Sequence, residues 1–171
     1  MNEIIQNILS RRSVRAFTDK PVSREDTELL IKAALYAPSA RNLQTWKFTA
    51  LTQKSDIKKL AEAIGKVLDR DGYDMYKPAL VIIPSNSKDS PYGKEDNACA
   101  LENIFLAAHS LGLGSVWINQ LQGIGDEPEI RALLRSWNIP DDHTVYGIAA
   151  IGYPVDGSTH EPNKTGAFKI I

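Results

Sequence analysis

Two stretches of the chain gather side chains able to do chemistry. The first is Arg11-Arg12-Ser13-Val14-Arg15-Ala16-Phe17, with three arginines and a serine inside five residues of a chain whose formal net charge is −1. A guanidinium is a planar fork that matches a phosphate bidentately, and Ser13 adds a hydroxyl donor, so the cluster reads as an anion site. Its bland alternative is a solvated charge run. The second is Pro38-Ser39-Ala40-Arg41-Asn42-Leu43-Gln44-Thr45-Trp46, where Ser39, Asn42 and Gln44 offer donors and acceptors. A polar loop fixed at both ends by regular structure is where function concentrates, although a structural turn would look the same in isolation.

Other chemistries lack their residues. A hydrolytic triad needs an activated nucleophile beside a base. The histidines are His109, His143 and His160, and no nucleophile-elbow sequence accompanies them. His109 falls in an apolar helix and reads as a satisfied structural residue. No cluster has zinc-ligand spacing, and no glycine-rich loop ends in Gly-Lys-Ser/Thr. Gly123-Ile124-Gly125-Asp126-Glu127-Pro128 puts Pro128 where a dinucleotide fingerprint needs its third glycine. What remains is a site without a protein nucleophile, suited to a bound cofactor that carries the chemistry.

The elements that must position these stretches follow from hydrophobic spacing. Ile4, Ile5, Ile8 and Leu9 mark a short amphipathic helix over 2–10. Ser23, with Asp26 three residues on, opens a helix carrying Leu29, Leu30, Ala33, Ala34 and Ala37 that stops at Pro38. Trp46, Phe48 and Ala50 alternate with polar residues as in a half-buried strand, and Ser55 is the expected cap of the next helix. Residues 69–78 form a polar, tyrosine-bearing connection, and 79–83 a buried strand between prolines. Residues 85–94 read as a turn-rich loop able to cover a site. A nearly all-apolar helix spans 95–111, buried centrally or in a subunit interface. Gly112 and Gly114 suit left-handed residues after it, and a strand follows over 116–119. Asp126 and Glu129 are expected as a cap pair around Pro128 for a helix through Trp137. A last strand runs over 144–153, and an irregular tail over 154–171. No repeat or linker divides the chain, so one domain over 1–171 is expected.

Composition bounds the rest. The content of 43% hydrophobic and 24% charged residues is that of a soluble globular protein. The near-zero charge argues against nucleic-acid binding. No apolar run reaches the ~20 residues of a membrane span, and no signal peptide is evident. The lone Cys99 excludes an intrachain disulfide, and a buried, inert thiol in a cytoplasmic protein is expected.

Taken together these residues resemble the nitroreductase family. RRSVRAF at 11–17 resembles its N-terminal flavin-binding segment, and PSARNLQTW at 38–46 its Pro-Ser-x-x-Asn-x-Gln-Pro-Trp loop, with Thr45 where proline is usual. CALENIFLAAHSLGLGSVWI at 99–118 resembles its interface helix and following strand, and Gly152-Tyr153-Pro154 the end of its last core strand. The resemblance implies an α+β fold, with a central mixed or antiparallel sheet flanked by helices, in an intertwined homodimer. It implies FMN bound at two interface sites and NAD(P)H as reductant. It also implies ping-pong reduction of nitroaromatics, quinones or another small acceptor.

Carried over by position, Arg11 and Ser13 would hold the FMN phosphate with Arg12 close by. Arg15 would face the pyrimidine end of the ring, where a cation stabilises the reduced form. Pro38, Ser39, Ala40 and Asn42 would reach the partner's FMN. Asn119 and Gln120 would place a backbone amide at the ring. Of the C-terminal cation pair usual in the family, Lys164 is the one candidate. Where larger members use an Asn and a Lys, this chain has Asp71, Asp74 and Lys77. Tyr73, Tyr76 and Tyr92 are candidates for the substrate face. Because the phosphate set is incomplete and ring contacts are missing, a flavin-binding protein without reductase turnover, serving storage or sensing, stands as the alternative. A purely structural interaction module is a third.

Overall fold

A computed structural model describes residues 1–171. The elements are α1 (Glu3–Ser10), α2 (Arg24–Leu35), β1 (Trp46–Leu51), α3 (Lys54–Val67), β2 (Leu80–Ser87), α4 (Gly93–Ser110), β3 (Gly114–Ile118), α5 (Pro128–Ser136), β4 (His143–Thr144) and β5 (Ile148–Gly152). The sheet runs β1-β2-β5-β3, with β4 beside the far end of β2, and every strand pair is antiparallel. The expected α+β class holds, and the sheet resolves to antiparallel.

The central strands are continuously apolar because both faces are covered. Val81, Ile83, Ile148 and Ala150 point to a core shared with α3 and α5, through Ile57, Leu60, Ile64, Ile130 and Leu134. Leu80, Ile82, Ala149 and Ile151 point the opposite way, to Leu30 and Ala34 of α2 and Leu101, Ile104 and Ala108 of α4. Emptying either core by one Leu→Ala change costs about 2–5 kcal/mol.

Several sequence expectations shift. β2 does not stop at Pro84 but continues to Ser87, because Pro84 lies where its second neighbour changes from β5 to β4. Half of the loop expected at 85–94 is therefore strand end and helix start, and 88–92 remain a turn. Tertiary pairing also divides the strand expected over 144–153. Ser23 caps α2 as expected, its hydroxyl accepting from the Asp26 N–H at 2.9 Å. Ser55 does not cap α3, which starts at Lys54 with Gln53 before it. Nor do Asp126 and Glu129 cap α5: Asp126 instead accepts from Arg131 at 2.7 Å and Lys88 at 2.9 Å.

α4 buries one face only. Asp96, Asn97, Ala100, Leu101, Ile104, Phe105 and Ala108 are covered, whereas Cys99 is exposed in the single chain, contrary to the buried thiol expected. α1 lies along α4 through the Asn7 amide, which donates to the Leu106 carbonyl at 2.9 Å. Its own apolar side chains stay outside, with Ile4 71% and Leu9 59% exposed. No helix is long and apolar enough to cross a membrane.

Candidate functional site

The arginine segment is extended and bonded to its neighbours through its backbone. Val14 N–H donates to the Ser115 carbonyl of β3 at 3.0 Å, and Thr18 N–H to Tyr153 O at 2.8 Å. Val155 N–H returns a bond to Ala16 O at 3.0 Å. The segment is thus strapped between the sheet edge and the chain leaving β5. With side chains alternating along it, Val14 turns inward and is buried, while Ser13 and Arg15 stay exposed.

Two glycines permit that strap. A Cβ on Gly114 would lie 2.7–2.8 Å from Val14 side-chain atoms, and one on Gly152 would lie 3.0 Å from the Phe17 ring. Gly112 is left-handed as expected (φ 72°), but Gly114 is needed for close approach instead.

Arg11, Arg12, Ser13 and Arg15 line a cavity of about 530 Å³, closed on the other side by Ser158, His160, Pro162 and Lys164 of the tail. Lys164, the expected tail cation, is therefore here. Ser158 and His160 were missed, because nothing local in the irregular tail marks them. No acidic side chain lines the cavity, and Arg11 and Arg15 have no carboxylate partner. Arg12 is engaged elsewhere: its Nη1 donates to the Leu9 and Arg11 carbonyls, and its Nη2 to both Glu161 oxygens at 2.7 Å. That hydrogen bond and the guanidinium charge lower the Glu161 carboxyl below its ordinary value. Arg12 therefore braces the tail, and the free donors of the cavity are its neighbours. Behind them His109 contacts Ser10 Oγ at 2.7 Å. Burial lowers its pKa, and the Arg11 and Arg12 charges add to the effect.

The 38–46 loop is built differently. Ser39 Oγ donates to Asp96 Oδ2 at 3.0 Å and accepts from Gln44 N–H at 3.0 Å; Ala40 N–H donates to Asp96 Oδ1 at 2.9 Å. Gln44 Nε2 donates to Asn42 Oδ1 at 2.7 Å. Arg41, Asn42 and Gln44 all have positive φ (55°, 56° and 49°), a conformation that costs a non-glycine residue roughly 1–2 kcal/mol. Thr45 anchors the exit, donating from Oγ1 to Asn86 Oδ1 at 2.6 Å. The Ser39 hydroxyl proton is consumed within the chain, while the Asn42 amide nitrogen is left as a donor. No residue of this loop lines the arginine cavity of its own chain.

Asn119 and Gln120 follow β3 and also stay out of that cavity. Asn119 Oδ1 accepts from the Trp117 indole at 3.3 Å, and Gln120 Oε1 is buried without a partner. Tyr73 is half-buried with its hydroxyl enclosed and unpartnered, and burial pushes its pKa to about 12. Asp74 and Lys77 pair with each other at 3.8 Å.

The nitroreductase family model matches residues 8–153. An Archaeoglobus fulgidus protein, provisionally named NADH dehydrogenase/NAD(P)H nitroreductase, is 35% identical over 91% of this chain and 88% of its own. A Bacillus subtilis FMN reductase [NAD(P)H] is 29% identical over 95% of this chain and 70% of its own. A crystal structure of a Bacteroides fragilis nitroreductase with bound FMN superposes with a TM-score of 0.92 at 36% identity, covering 100% of this chain and 98% of that one.

Proposed function

This chain belongs to the nitroreductase family, and on that premise we propose that it is an FMN-dependent NAD(P)H oxidoreductase. The observation that carries the reading is the cavity at 11–15. A phosphate monoester bears about −1.5 to −2 charges at neutral pH. The cavity offers it Arg11, Lys164, His160 and the Ser13 hydroxyl, and no carboxylate lines it. That donor set fits a phosphate.

The chemistry FMN supplies when bound is two-electron transfer, taken from NAD(P)H and passed in a ping-pong sequence to a nitroaromatic, quinone or other small acceptor. The chain binds and orients. Arg11, Ser13 and Lys164 hold the phosphate, and Arg15 keeps a positive charge beside the ring, favouring its electron-rich form. Asn42, with Pro38, Ser39 and Ala40 as its frame, reaches the FMN of a second subunit. Asn119 and Gln120 present main-chain amides toward the ring.

A homodimer is part of the proposal, because the loop supplies nothing to its own chain's cavity. The exposed apolar side chains of α1, lying beside α4, give the second subunit a surface to cover. The alternative without turnover rested on an incomplete phosphate set and on missing ring contacts; His160 adds a further polar side chain to the cavity beside Lys164.

An absorption spectrum of the purified protein tests the reading. Flavin bands should be present or appear on adding FMN, and should bleach with NADH or NADPH. Protein that stays colourless after incubation with FMN would overturn it. A flavin that neither nucleotide bleaches would favour storage or sensing. Sedimentation should give a dimer; a monomer that holds FMN tightly would remove the shared site.

A further inference from the structure

We infer that Asp96, in the first turn of α4, is the positioning residue for the 38–46 loop, and that it presets the loop before any cofactor arrives. The inference rests on the reading that this loop contacts FMN.

Asp96 is 4% exposed, and both hydrogen bonds of its carboxylate come from the loop: Oδ2 accepts from the Ser39 hydroxyl and Oδ1 from the Ala40 N–H. It forms no ion pair, and its carboxylate does not cap α4, whose N-cap is Tyr92. A buried carboxylate is costly unless hydrogen-bonded, and an apolar residue would fill the same space at lower cost. The carboxylate is therefore explained by what it holds.

Its hold propagates. With its proton committed to Asp96, Ser39 Oγ is left to accept from Gln44 N–H, which fixes the left-handed Gln44. Gln44 Nε2 in turn donates to Asn42 Oδ1 and leaves the Asn42 Nδ2 donor unspent. Three consecutive links thus decide which donor faces outward. Asp96 sits 57 residues from Ser39 in sequence, so helix and loop are joined only by the fold. A loop already held in its binding geometry loses less entropy on binding.

The test compares wild type, Asp96→Asn and Asp96→Ala as purified dimers. It measures FMN Kd by fluorescence quenching, apoprotein melting temperature, and amide hydrogen exchange of residues 39–45 without FMN. Bonds to an ionised acceptor are among the stronger ones, so Asp96→Ala should raise Kd about 10–100-fold. Asp96→Asn, which keeps an oxygen for Ala40, should raise it roughly threefold. Exchange should accelerate at Ala40 and Gln44 in Asp96→Ala while the β2 and β5 amides stay protected. The Asp96→Ala effect on Kd should shrink in a Ser39→Ala background, since part of the path is then already cut.

Unchanged exchange at 39–45, or Kd within twofold of wild type in Asp96→Ala, overturns the inference. So does a rise in Kd accompanied by faster exchange across the whole sheet, which would mark a general structural role. If wild type itself takes up no FMN, the functional reading fails separately, and the exchange measurement alone decides Asp96.

Discussion

The arginine segment and the 38–46 loop are both polar stretches at the surface, yet they are held in opposite ways. Backbone bonds to β3 and to the chain after β5 hold the first, and the buried Val14 side chain seats it. Apart from Arg12, which Glu161 engages, its polar side chains are left free, and Arg11 and Arg15 keep their charge unspent. Side-chain bonds hold the second: Ser39, Asn42 and Gln44 bond to one another or to Asp96, and few donors remain. Backbone-held sites leave side-chain chemistry for a ligand. Loops held by side chains spend most of it on their own shape, which makes each remaining donor more consequential.

The largest expected effect breaks the first region at its seat. Gly114→Val would push into Val14 and unstrap the segment, costing about 1–3 kcal/mol as overpacking does. Urea unfolding should show the loss, and FMN affinity should fall with it. Next, Arg11→Ala leaves the strap intact and removes a free cation, so Kd for FMN should rise about 10–100-fold with the melting temperature little changed. In the second region Asn42→Ala removes the donor the loop leaves over. It should weaken FMN about tenfold, the worth of one hydrogen bond, without unfolding detectable by circular dichroism. An unaltered Kd there would erase the contrast between the regions.

The smallest effect is a pH dependence behind the arginines. Burial and the charges of Arg11 and Arg12 lower the pKa of His109, and burial lowers that of His143. The unfolded chain then binds protons at a higher pH than the folded one, so stability rises with pH through this window. It is fully present above the ordinary histidine value of 6.5 and declines as pH falls below it. Chemical denaturation across pH 5–8, a span centred on the ordinary histidine pKa, should give a slope that His109→Asn reduces. An unchanged slope would assign the effect to His143.

Much of this was legible in the residues. Ile and Leu spacing marked the helices, Ser23 marked its cap, and the density of arginines marked the segment whose cavity Lys164 then joined. What misled were local rules that tertiary contacts overrode. Pro84 did not end its strand, because its neighbour changes there. Gly114 looked like a helix terminator and proved to be the space Val14 occupies. Cys99 lies in an apolar sequence but on the face of α4 that this chain does not cover.

The sequence alone determined the element types, the two-faced apolar strands and the cationic character of 11–15, because periodicity and charge are properties of neighbouring residues. Only the tertiary structure decided that His160 and Lys164 meet Arg11 and Arg15, that Arg12 is spent on Glu161, and that Asp96 governs Ser39. Those pairings join residues tens of positions or more apart. No local propensity encodes such a distance; the packing of both helical layers on one sheet does.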